Sequence, residues 1–190
     1  MRSLRIEILP DEGWERLVVL QELYIHHCHE LKSLPNKLEL LPEGLGQLKK
    51  LTSLTISGAE TLTQLPNSLG QLESLEYLAL RGLKRLELLP EGLGQLKKLT
   101  WLTIDDAEAL TQLPDSVTLL ESLESSEVMD SKKLESLPHS LKLESLPLLQ
   151  YLAISNCPLL LERCRREGGE DWYKNISHVP KIFIDNARMR

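Results

Sequence analysis

Aromatic residues are scarce in this chain of 190 residues: one Phe, three Trp and four Tyr make up 4% of it, while 42% is hydrophobic. Such a core has to be laid down from aliphatic side chains in thin, similar layers, a stack rather than a globule. Cysteine is scarce too, with three residues, Cys28, Cys157 and Cys164. A run of about 18 apolar residues is missing, and residues 1–30 lack a charged, apolar and small-residue leader pattern. An unpaired set of thiols without a leader suits a reducing compartment, so the expected location is cytoplasmic, with no membrane partner. Positive charge is in deficit, 22 Lys and Arg against 28 Asp and Glu, a net charge of −6. The basic residues are scattered as Lys49-Lys50, Lys97-Lys98 and Arg163 to Arg166. They read as solvated faces, and nucleic acid is not expected to bind.

Sequence signatures of chemistry are absent as well. The chain has no G-x-x-x-x-G-K-[ST], no G-x-S-x-G and no H-E-x-x-H, so a phosphate cradle, a nucleophile elbow and a zinc-protease helix have no starting point. His26, His27, Cys28 and His29 are zinc-binding types in a row. Neighbouring residues of a strand face opposite ways, so they cannot all converge on one ion. No catalytic residue, cofactor or metal is expected, and the chain reads as a non-enzyme. Asn175-Ile176-Ser177 matches a glycosylation acceptor, unused in an intracellular chain.

What is present is leucine at a fixed period. Leu51, Leu75, Leu99 and Leu123 stand 24 residues apart. Each opens a unit of the form L-x-x-L-x-[L/I]-x-x-[small]-x-x-L-x-x-L-P, as in Leu51, Leu54, Ile56, Ala59, Leu62, Leu65 and Pro66. This is the pattern of a leucine-rich repeat. Earlier units run from Leu4 and from Leu20, and a later one opens at Leu149. Extra residues fall near Asn36 to Pro42 and around Leu141 to Pro147. The expected fold is an α/β repeat: a leucine-rich-repeat solenoid of about seven strand-bearing turns, its parallel strands on the concave face and irregular or short helical segments on the convex face. Residues 1–156 are assigned to the repeats and 157–190 to a C-terminal capping segment.

Within a unit Leu54 and Ile56 alternate with Ser53, Thr55 and Ser57, a period of two that makes a half-buried strand. The Leu-Pro steps at 34/35, 65/66, 89/90, 113/114 and 137/138 close each descending segment. Gly46, Gly70 and Gly94 interrupt the outer arc, and a glycine costs a helix about 1 kcal/mol relative to alanine, so short irregular turns are expected there. Cys28 and Cys157 occupy the same small-residue slot five strand steps apart, roughly 24 Å at 4.8 Å per step. That is too far for a disulfide.

A longer period lies above the first. Residues 38–66 recur at 86–114 and differ only at Ser53/Trp101, Ser57/Asp105, Gly58/Asp106 and Thr61/Ala109. The scaffold is constant while positions on or beside the strand vary, which is how a recognition surface looks inside one sequence. Taken in register, the outward column through Ser53 holds Glu22, Tyr77, Trp101, Ser125 and Tyr151. The next holds Tyr24, Thr55, Ala79, Thr103, Glu127 and Ala153, and the third His26, Ser57, Arg81, Asp105, Met129 and Ser155. The candidate protein-binding residues are therefore Tyr24, His26, Tyr77, Arg81, Trp101, Thr103, Asp105, Asp106 and Tyr151, with the aromatic and charged group on adjacent turns as their centre. The competing reading is that these aromatics and an Arg81–Asp105 pair only stabilise the ladder.

After residue 156 the character changes: Cys157-Pro158-Leu159-Leu160, Glu162-Arg163-Cys164, Gly169-Glu170-Asp171-Trp172, Ile176-Ser177-His178-Val179-Pro180, Ile182-Phe183-Ile184-Asp185. Physically this is a cover, with Trp172, Ile176, Val179, Ile182 and Ile184 placed over the last leucine layer. It resembles the terminal segment of plant intracellular nucleotide-binding leucine-rich-repeat disease resistance proteins. That resemblance implies a domain of an innate immune receptor whose protein partner is a pathogen effector, or the receptor's own nucleotide-binding domain, which it restrains. This chain carries no such nucleotide switch and no N-terminal cap, which reads as a fragment, a truncated product or an engineered excerpt. The uncapped end, residues 4–35, is expected to self-associate. The alternative is a structural or engineered repeat scaffold without a selected ligand, as the near-copied blocks suggest.

Overall fold

The computed structural model describes residues 3–6, 17, 19–26, 43–138, 146–164, 176–185 and 187–188. The strands among these residues are β1 (Ser3–Ile6), β2 (Glu22–His26), β3 (Ser53–Ser57), β4 (Tyr77–Arg81), β5 (Trp101–Asp105), β6 (Ser125–Met129), β7 (Tyr151–Ser155), β8 (Lys181–Ile184) and β9 (Ala187–Arg188), and an α-helix, α1 (Pro158–Arg163), follows β7. The strands form one nine-stranded sheet in sequence order. From β1 to β8 every neighbouring pair is parallel, and β9 is antiparallel to β8. The chain is a leucine-rich-repeat solenoid.

The period of two explains the layers. Leu23, Leu54, Leu78, Leu102, Leu152 and Ile182 form one buried row beneath the sheet, and Ile25, Ile56, Leu80, Ile104, Val128 and Ile154 form a second. Between Leu102 and Leu152 the row is broken by Ser126, which is half-buried. From the other sides of the coil Leu51, Leu62, Leu65, Leu69 and Leu72 close over the same core. No turn could bury this face alone, and stacking supplies the missing cover.

The tail departs from expectation in one respect. Beyond covering the last layer with Ile176, Val179 and Ile182, it adds β8 to the parallel sheet, pairing Tyr151 with Lys181 and Ala153 with Phe183. Trp172 and His27 to His29 lie outside the described residues, as do Cys28, Asn36 to Pro42 and most of the Leu141 to Pro147 stretch.

Among the described residues the convex side carries single 3-10 turns at Glu43–Gln47, Asn67–Gln71, Glu91–Gln95 and Asp115–Leu119. Three of them follow a proline in extended conformation, Pro66, Pro90 and Pro114. A Cβ at Gly46, Gly70 or Gly94 would run into the carbonyl oxygen of Ser68, Gly92 or Ser116 on the next turn. These glycines permit the turns to touch. Weak helix propensity, the reason given by sequence reasoning, is the smaller effect.

The doubled period also acquires a physical reason here. Lys49, Glu73, Lys97 and Glu121 occupy the same slot of successive turns, so charge alternates along this rim. Lys49 meets Glu73 at 3.4 Å and Lys97 meets Glu121 at 3.2 Å. Each lysine also donates at 2.8 Å to a carbonyl that ends the next 3-10 turn, that of Gln71 or Leu119. The pairs are solvent-exposed and contribute a few tenths of a kcal/mol each, roughly.

Candidate recognition surface

Each strand from β3 to β8 is followed by a residue in the left-handed region: Gly58 (φ 65), Gly82 (φ 62), Asp106 (φ 54), Asp130 (φ 52), Asn156 (φ 50) and Asp185 (φ 45). Glycine, asparagine and aspartate are the types that enter it readily. The amides of Gly58, Gly82, Asp106 and Asp130 carry the ladder one step past the strand, Gly58 donating to the Arg81 carbonyl at 2.9 Å and Asp106 to that of Met129 at 3.1 Å. The Gly58/Asp106 difference between the copied blocks is thus restricted by the backbone, and only its side chain is free to serve recognition.

The outward columns are in the register expected from the repeat, including across the irregular spacings, where Glu22 pairs with Ser53 and Ser125 with Tyr151. The candidate residues separate into two groups. On β2, Tyr24 stacks on His26 with ring centroids 6.1 Å apart, and the His26 Nδ1 lies 2.5 Å from the Ser57 hydroxyl. Strand β3 then presents only Ser53, Thr55 and Ser57. The second group begins at β4. Tyr77 and Trp101 have centroids 6.4 Å apart, Trp101 and Tyr151 6.4 Å, and Tyr151 and Phe183 5.5 Å. Trp101 and Tyr151 close over the small Ser125 between them, so four rings form one run from β4 to β8. Trp101 is 36% exposed.

Thr103 corrects the expected list. It sits in the outward column but is completely buried, because the Trp101 indole lies over it and donates Nε1–H to its hydroxyl at 3.0 Å. The hydroxyl in turn faces a Glu127 carboxylate oxygen at 3.5 Å. Thr103 positions the indole and offers no surface of its own. Ala79 is buried in the same column.

Arg81 is exposed and faces Asp105 in register, yet the two form no ion pair. The Asp105 carboxyl is held above the usual aspartate range by its burial first and then by the like charge of Asp130; the Arg81 guanidinium opposes this and Asp106 adds to it. Asp130 accepts a short hydrogen bond from the Asn156 side-chain amide, and Asp185 accepts one from the Asn156 backbone at 2.9 Å. Carboxylates therefore mark the ends of β5, β6 and β8, with Asn156 at the end of β7 bonded to those on either side.

Phe183, Glu127 and Asp130 are the members of this surface that the repeat pattern did not single out. The available signal for Phe183 was Ile182-Phe183-Ile184-Asp185, which repeats the alternation and terminal Asp of the earlier strands inside a segment read as a cap.

Among the described residues no group of three or more His, Cys, Asp and Glu side chains could hold a metal ion, and no helix is long and apolar enough to cross a membrane. Cys157 and Cys164 are both buried thiols. Burial pushes the Cys157 thiol up to about 11. Its Sγ lies 3.2 Å from the Ser155 carbonyl, a packing role rather than a nucleophile's.

No family model and no curated protein matches the chain. Among solved structures it is similar to the leucine-rich repeat domain of the type III effector XCV3220 (XopL), with a TM-score of 0.64, 27% identity, and coverage of 83% of this chain and 52% of that one. The chain therefore spans about half the length of that structure. It is also similar to the Leptospira interrogans LRR protein LIC12759, with a TM-score of 0.44, 25% identity, and coverage of 80% and 48%. A third likeness is to the plant peptide hormone receptor RGFR1, solved in complex with RGF2, with a TM-score of 0.47, 22% identity, and coverage of 82% and 27%. The 24-residue frame, the continuous parallel ladder and the first of these likenesses agree that this chain is a leucine-rich-repeat domain.

Proposed function

We propose that this domain recognises a protein through its concave face, as part of a cytoplasmic innate immune receptor of plants. In that role it binds a pathogen effector or restrains an upstream nucleotide switch. The observation that carries the reading is the run of rings from Tyr77 to Phe183, with Trp101 partly exposed at its centre. Large, rigid side chains of this kind supply most binding energy at protein interfaces. The plant immune assignment draws on the tail resemblance described above. Binding, without catalysis, is the activity proposed.

The test is to measure binding of the chain to a purified nucleotide-binding module of this receptor class and to candidate effectors, with Trp101→Ala alongside. One of the two partner classes should bind, and Trp101→Ala should weaken it by about 2 kcal/mol, roughly 30-fold. Binding to neither class contradicts the immune reading. A second reading, a repeat scaffold without a selected ligand, is favoured by the near-copy of residues 38–66 at 86–114; it expects no partner at all.

A further inference from the structure

Strand β6 gives the ring-bearing face a chemical preference. In its column the aromatic run has a gap, Ser125, and two residues further along the same outward face stands Glu127, half-buried beside the Trp101–Thr103 hydrogen bond. Beyond it lie Asp105, Asp106 and Asp130. Two cations, Arg81 on β4 and Lys181 on β8, stand near the two ends of the run, both exposed. The middle of the face therefore combines flat aromatic surface with carboxylates that outnumber the cations around them. The Asp105 carboxyl is raised by its burial first, and the like charges of Asp130 and Asp106 add to this.

We infer that the segment received by this face is an extended peptide stretch of a protein partner with arginine or lysine side chains alternating with apolar ones. The inference rests on the concave-face reading above and adds the chemistry of the partner. Glu127 lies two residues along the strand from Ser125, about 7 Å, so a guanidinium or ammonium beside its carboxylate stays close to the Trp101 and Tyr151 rings, whose negative faces add to the attraction. Four strand steps from β4 to β8 span about 19 Å at 4.8 Å each, which an extended chain at about 3.3 Å per residue covers with roughly six residues. Alternation in the peptide puts its apolar side chains on the rings and its cations beside the carboxylates, because successive side chains of an extended chain point to opposite sides.

Calorimetric titration of the full chain with three six-residue peptides tests this, one alternating leucine with arginine, one leucine with glutamine and one leucine with glutamate. The arginine peptide should bind at least about tenfold more tightly than the glutamine peptide, and the glutamate peptide more weakly still. Trp101→Ala and Glu127→Gln should each lower its affinity by about tenfold, whereas Glu73→Gln with Glu121→Gln, which removes more charge than Glu127→Gln but from the convex rim, should leave it unchanged. Circular dichroism on each variant, and Trp101→Phe as the conservative replacement, separate lost contact from lost fold. Equal binding of the three peptides, no binding of any, or binding insensitive to Trp101→Ala would overturn the inference. If a protein partner requires Trp101 but is displaced by the glutamate peptide and not the arginine one, the concave-face reading stands and the basic partner falls. If the arginine peptide behaves as expected while a partner ignores Trp101→Ala, the reading of function falls and the peptide site stands.

Discussion

Trp101 and Asp105 occupy two of the four positions at which the copied blocks differ, where the earlier block has Ser53 and Ser57. Both substitutions place a costly group on the surface. The indole needs an anchor and finds it in Thr103. The carboxylate finds poor company in Asp130 and Asp106. Because its folded-state pKa is raised, Asp105 binds a proton more readily in the folded chain than in the unfolded one, so its contribution to stability falls as pH rises through the carboxylate range and stays unfavourable above it. Asp105→Asn should therefore be more stable than the parent at neutral pH, with the difference shrinking as pH falls into the acid range. Chemical denaturation of both chains along a pH series checks this; a variant less stable at neutral pH would mean that the Arg81 field outweighs burial and the like charges.

Among the elements, the outward columns were legible because two simple periods determine them, one of two residues within a strand and one of 24 between strands. The pairing of Ser125 with Tyr151 came out correctly despite the irregular spacing, since the leucine frame restarts in phase after it. Three things were not legible. The burial of Thr103 depends on how a neighbouring indole leans, the joining of β8 depends on a tail outside the repeat frame, and the role of the convex glycines depends on contact between turns. The glycines offer a test in which two principles predict opposite signs. Propensity alone would have Gly70→Ala stabilise a helical turn by about 1 kcal/mol, whereas collision with the Gly92 carbonyl should destabilise by roughly 1–3 kcal/mol. Thermal unfolding of that variant should show a loss. Strand β6 supplies a second test, because Ser126 leaves its layer without most of a leucine's burial, about 1.5–3 kcal/mol. Amides of 125–129 should exchange sooner than those of 53–57, and equal protection would show that the neighbouring layers compensate fully.

At the scale of the whole molecule, a solenoid couples each turn only to its neighbours, so a surface can be rewritten turn by turn while the leucine frame continues beneath it. The copied blocks do this: every buried leucine is retained between them, and the alternating Lys49, Glu73, Lys97 and Glu121 keep the rim in phase. Recognition on such a scaffold belongs to the concave side, where outward residues of successive strands lie side by side. An alanine scan of a bound partner's affinity, covering Tyr77, Trp101 and Tyr151 on the concave face and Gln71, Gln95 and Lys98 on the convex side, addresses this most directly. The account predicts losses confined to the first set and largest at Trp101, about 2 kcal/mol or more; losses confined to the second set, with Trp101→Ala binding as tightly as the parent, would contradict it.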